Sequence, residues 1–174
     1  GICLNNKGVS NYLRGRFKEA IVLYQEALAT YRILGNDTLT SQSLTNLGLT
    51  FKGLGIYDKS LEYLYESAQM LERLGLKKEL SANWDGIGNI HRELSNSDLS
   101  LKYLKMSLDI RRQIDYEAGI GQSLHNIGIW HLKEMDLELA MDFFTKSLRI
   151  KERLSNKKTL SNTLSKIGQV FYEQ

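Results

Sequence analysis

A glycine returns at every fortieth position of this chain: Gly8, Gly48, Gly88, Gly128 and Gly168. The neighbouring positions keep the same step. Leu4, Leu44, Trp84, Leu124 and Leu164 form a column of large apolar residues. Leu47, Ile87, Ile127 and Ile167 form another, which Lys7 interrupts in the first copy. Two further columns are small: Ala20, Ser60, Ser100 and Ala140, then Ala27, Ser67, Ser107 and Ser147. A fixed period of this length is the signature of stacked structural repeats. A glycine inside a helix costs about 1 kcal/mol relative to alanine. Its return in every copy therefore predicts two helix backbones in close approach, with the small columns on the other side.

Apolar spacing predicts paired helices. The first pattern runs from about Ile2 to Arg14, and Gly15-Arg16 marks a turn. Phe17, Ala20, Ile21, Tyr24, Ala27 and Leu28 then recur at three- and four-residue steps, the spacing of an amphipathic helix. Gly35 suits the left-handed residue after a helix end, and Asn36 or Asp37 can cap the next helix. The pattern repeats, with Asn96 and Asp136 as later caps, and ends in a helix from about Lys158 to Tyr172. The expected architecture is all-α, with four helix pairs and one terminal helix. The expected repeats cover about 1–35, 36–75, 76–115 and 116–155, with a half repeat at 156–174. The chain starts at Gly1 with its pattern already running, so it is expected to be a piece of a longer protein.

Composition excludes several classes. Charged residues are 25% and apolar residues 42%, a globular balance. Proline is absent, where average usage predicts about 9. The net charge is only +3 and the basic residues are scattered, so a nucleic-acid partner is not expected. No apolar run is long enough to cross a membrane, so no membrane contact is expected of this segment. Cys3 is alone, which excludes an internal disulfide and fits a small packed or half-exposed thiol. No signal peptide is visible, and the cytoplasm is the default compartment.

These columns resemble the tetratricopeptide repeat. That helix-turn-helix carries a large residue, a glycine and an aromatic on its first helix, then small, aromatic and small residues on its second. Leu44, Gly48, Phe51, Ser60, Leu64 and Ser67 fill those slots in the second copy. The family period is 34, against 40 here, and the proline that usually ends the second helix is replaced by Arg32, Glu72, Arg112 and Glu152. Leu44-Thr45-Asn46-Leu47-Gly48 and Leu124-His125-Asn126-Ile127-Gly128 resemble the long-repeat subclass, which includes kinesin light chains and bacterial signalling proteins. The resemblance implies an α-α superhelix whose first helices line a concave groove for protein segments. It also implies no enzymatic activity and no cofactor.

Asn6, Asn46 and Asn126 share one column on the face expected to line that groove. Gln42, Lys52, Asp85, Asn89, Arg92, Gln122 and His125 are expected beside them. Asparagine offers two donors and an acceptor, which suits reading a peptide backbone. Lys52 and Arg92 favour an acidic feature in the ligand. The lysine needed to clamp a chaperone's C-terminal carboxylate is missing from every copy. His91 and His131 occupy the aromatic column of Phe51, and packing rather than metal binding is expected of them. Tyr63, Tyr103 and Phe143 are likewise read as packing, and Asp85 and Glu93 as solvated. No nucleophile motif or P-loop is present. The expected function is therefore a non-enzymatic module that binds a peptide or protein segment. The alternative is a regulatory input segment of a bacterial signalling protein, such as a sensor histidine kinase. Leu164, Ile167 and Phe171 lack a following helix to cover them, so end-to-end self-association is also expected.

Overall fold

The computed structural model describes residues 1–155 and 157–173, without the side chains of Lys157 and Lys158. The expected limits of the last half repeat, residues 156 and 174, lie outside the described residues. Among the described residues there are nine α-helices and no strand. They are α1 (Ile2–Leu13), α2 (Phe17–Ile33), α3 (Asp37–Gly53), α4 (Tyr57–Arg73) and α5 (Lys77–Glu93). Then follow α6 (Ser97–Gln113), α7 (Glu117–Lys133), α8 (Leu137–Arg153) and α9 (Lys157–Glu173). These are the four pairs and the terminal helix expected.

Every helix from α2 to α9 is 17 residues long. Three-residue links join them, so the backbone repeats at half the sequence period. Each link has one residue in the left-handed region: Gly15, Gly35, Gly55 and Gly75, then Ser95, Asp115, Met135 and Ser155. At the end of α2, Gly35 N–H donates to Arg32 O at 3.2 Å and Asn36 N–H to Tyr31 O at 3.0 Å. These two bonds satisfy carbonyls that the helix leaves open. Asn36 Oδ1 accepts from Leu39 N–H at 3.0 Å, and Asp136 Oδ1 from Leu139 N–H at 3.3 Å, so both cap as expected. Asn96 precedes α6 without a side-chain cap, and its amide lies 3.4 Å from His91 Nδ1 instead.

The chain divides into two compact units, Gly1–Gly86 and Ile87–Gln174. In the first, Leu44, Leu47 and Leu64 are fully buried. In the second, Ile87, Leu104, Phe144 and Val170 are fully buried. The glycine column brings the backbones close as expected and also admits a large side chain. A Cβ on Gly48 would lie 2.6 Å from Leu64 Cγ, and one on Gly128 would lie 2.7 Å from the Phe144 ring. The glycine makes room for a large side chain as well as for the neighbouring backbone: the same Cβ would lie 3.2 Å from Ser60 O at Gly48, and 3.1 Å from Leu104 N at Gly88. The small column also brings backbones together: Ser60 Oγ donates to Gly48 O at 2.6 Å, and Ser147 Oγ to Gly121 O at 2.7 Å. Gly168 has no such neighbour within 4 Å, and Leu164 and Phe171 are exposed. Two readings need correction: Cys3 is exposed, and Asp85 is buried rather than solvated.

Candidate functional site

In the first unit, the polar column of the odd-numbered helices is partly spent on internal bonds. Asn46 Nδ2 donates to the buried Asn5 Oδ1 at 3.1 Å, tying α3 to α1. Asn6 and Gln42 are exposed, Lys52 is half-buried, and Asp85 is only 7% exposed. Gln42 and Asn46 come together at one cleft of about 330 Å³. Thr38, Ser41 and Thr45 of α3 line it, with Leu71 of α4, Leu76 of the link, and Glu79 and Ala82 of α5. Buried Leu71 and half-buried Leu76 supply its apolar lining, while amides, hydroxyls and the Glu79 carboxylate supply the polar part. That combination is the usual make-up of a site for an apolar side chain on a polar backbone.

The second unit places its residues differently. Gln122 Nε2 donates to Asn126 Oδ1 at 3.1 Å along α7, and Asn126 is buried. His125 is 7% exposed. Its Nδ1 lies 3.1 Å from Thr163 Oγ1 of α9, and Lys151 Nζ of α8 donates to the same oxygen at 2.8 Å. Burial pushes His125 down to about 4, and the positive charges of Lys151, Lys166 and Arg92 add to the effect. Burial likewise pushes the Lys151 ammonium down to about 8. Arg92 and half-buried Asn89 each keep a buried polar atom, Nη1 and Oδ1, without a hydrogen bond among the described residues. Arg92 lines a second cleft, also about 330 Å³, with Lys133 and Met135 beside it and Lys166 and Gln169 of α9 opposite. Asn6, Lys52, Asp85, Asn89, Gln122, His125 and Asn126 line neither of these two clefts.

The histidines of the aromatic column pack as rings. His91 stacks on Tyr103 at 5.6 Å and His131 on Phe143 at 5.1 Å, in the geometry by which Phe51 stacks on Tyr63 at 5.5 Å. His131 Nδ1 also lies 3.5 Å from Asp136 Oδ2. Among the described residues, no group of His, Cys, Asp and Glu side chains is placed to hold a metal ion. No helix there is long and apolar enough to cross a membrane. Sequence reasoning missed Lys151 and Arg111. Both are buried cations in a column that holds Tyr31 and Leu71 in the first unit. A charge in an otherwise apolar column was the signal available. Arg111 is held by Gly119 O at 3.1 Å and Ser123 Oγ at 2.7 Å.

The sequence model of the tetratricopeptide repeat matches residues 2–73 and 79–153. No curated protein matches the chain. Among solved structures, the chain is similar to BtubC (BKLC) from P. vanneervenii, with a TM-score of 0.83 and 21% identity over 95% of this chain and 69% of that one. It is similar to a Rap protein complexed with competence and sporulation factor, with a TM-score of 0.85 and 14% identity over 97% of this chain and 47% of that one. It is also similar to the Rap conjugation gene regulator of plasmid pLS20 in complex with the Phr* peptide, with a TM-score of 0.75 and 17% identity over 95% of this chain and 49% of that one. The chain thus spans about half the length of those Rap proteins. At these identities the likeness shows the fold, a tetratricopeptide-like helical solenoid.

Proposed function

The chain belongs to the tetratricopeptide-repeat family, and from that premise we propose that it holds a protein segment on the faces of its odd-numbered helices. Repeats of this family are protein-interaction modules and typically act as non-catalytic scaffolds. The observation that carries the reading is the cleft between α3 and α5 in the first unit, with an apolar lining at Leu71 and Leu76 and a rim of Gln42, Thr45 and Asn46. An apolar side chain of the ligand fills the cleft, and the rim amides bond its backbone. The Rap structures bound to competence and sporulation factor and to the Phr* peptide support this mode of use.

The test fills the cleft. Ala82 is exposed at its edge, so Ala82→Trp places an indole in the space without touching the core. A photo-crosslinker at Gln42 should trap a partner from the source cell's lysate. Ala82→Trp, with an unchanged circular dichroism spectrum, should abolish the crosslink. Equal trapping by both proteins would move the binding surface elsewhere.

A further inference from the structure

We propose that the cleft between Arg92, Lys133 and Lys166 in the second unit takes carboxylate side chains of an acidic protein segment. The proposal rests on the segment-binding reading and adds the chemical class of the ligand at this unit. Three cations reach the cleft from three helices, α5, α7 and α9, against the single acid Glu173. The two lysines have neutral hydrogen-bond partners. Lys133 Nζ donates to Arg92 O at 2.8 Å and Lys166 Nζ to Gln169 Oε1 at 3.0 Å, both neutral oxygens. Arg92 has only its sequence neighbour Glu93, at 3.4 Å from Nη2. Its Nη1 is buried and bonds nothing among the described residues. A carboxylate is the acceptor whose shape matches a guanidinium, and it would bond the exposed edge of Arg92 first and reach Nη1 only after a side-chain shift.

Glu134, which lines a small adjoining cavity with Arg92 and Lys133, keeps its charge while Ser97 Oγ donates to it at 2.6 Å, so a ligand carboxylate competes with it. The charges acting on buried His125, from Lys151, Lys166 and Arg92, are all positive. Positive potential therefore extends inward from the cleft. Ile129 and the buried Leu132 form the apolar part of its wall, where charge attraction is strongest. Cations spread over three helices suit successive carboxylates along a chain. A single compact anion would be better served by cations converging on one point. The small, scattered net charge of +3 speaks against a nucleic-acid backbone.

The probes are a terminally blocked peptide of alternating glutamate and alanine, its glutamine counterpart, inorganic phosphate and a single-stranded oligonucleotide. Fluorescence anisotropy on the full chain should show the glutamate peptide bound at least about tenfold more tightly than the glutamine one, and more weakly as salt rises. An R92Q/K166Q variant should lose that preference, and a Lys105→Gln control, an exposed lysine of α6, should keep it. In a histidine-selective NMR titration, the glutamate peptide should shift His125 toward easier protonation. Equal affinity for the two peptides, or a preference that survives in R92Q/K166Q, would overturn the proposal. So would displacement by phosphate at matched charge, or tighter binding of the oligonucleotide. Failure of both peptides to bind would also overturn it, yet would leave the segment-binding reading standing, since that is decided by the Ala82→Trp crosslink.

Discussion

The two units share one backbone plan and fill it with different chemistry. In the first, the left-handed residues of the links are Gly15, Gly35, Gly55 and Gly75; in the second they are Ser95, Asp115, Met135 and Ser155. The aromatic stack is Phe51 on Tyr63 in the first unit, but His91 on Tyr103 and His131 on Phe143 in the second. The buried column that holds Tyr31 and Leu71 in one holds Arg111 and Lys151 in the other. Helix length and the glycine and small-residue columns set the backbone. The remaining buried slots accept charge wherever a neighbour offers an oxygen, as Thr163 does for Lys151. The first unit keeps glycine in its links, and the second carries buried cations and histidines within its packing.

The largest expected effect of that difference is on pH dependence. His125 is pushed from 6.5 to about 4, so between those values the unfolded chain binds a proton that the folded one refuses. Stability is therefore complete above about 6.5 and falls as pH drops through 4, by on the order of 3 kcal/mol. Lys151, pushed from 10.5 to about 8, has the same sign: stability rises with pH between about 8 and 10.5. Tyr24 of the first unit, pushed up to about 12, opposes this above 10, because its folded form resists losing the proton. Lys151→Met should stabilise the protein by about 1–3 kcal/mol at neutral pH. It should also flatten the rise between pH 8 and 10, as read from urea unfolding. A variant less stable than the parent at neutral pH would mean that the Thr163 bond outweighs the cost of burying the charge.

A smaller effect is expected at the links. Met135 is largely exposed and has φ of 61°, so it loses little packing and pays for a left-handed backbone. Met135→Gly should raise stability by about 1 kcal/mol, and Gly35→Met should lower it by a similar amount. Equal and negligible changes in thermal midpoint would show that the links are not where the units differ.

The smallest effect separates two caps that look alike in sequence. Asn36→Ala should cost about 1 kcal/mol, because Asn36 Oδ1 caps α3. Asn96→Ala should cost a few tenths at most, because Asn96 makes no cap bond. Similar losses in chemical denaturation would erase the distinction.

These contrasts also explain what could be read from the chain before its structure. The helix pairs were legible because the glycine and small-residue columns serve packing in every copy. The left-handed positions were legible at Gly15 and Gly35, where residue type announces them. At Met135 and Asp115 the link geometry prevails over residue preference, so no local signal survives. The candidate site was legible only in part. Gln42, Asn46 and Arg92 reach clefts, whereas Asp85, His125 and Asn126 turn inward, since the face a residue takes on a helix packed on several sides depends on neighbours forty positions away. Asn5 shows this: it draws Asn46 into an internal bond that column position alone does not reveal.

The most direct test of the account is amide hydrogen exchange on the chain with and without its crosslinked partner. Binding on the faces of the odd-numbered helices predicts added protection in α3, α5 and α7, with α2, α4, α6 and α8 unchanged. Protection confined to the even-numbered helices would contradict it.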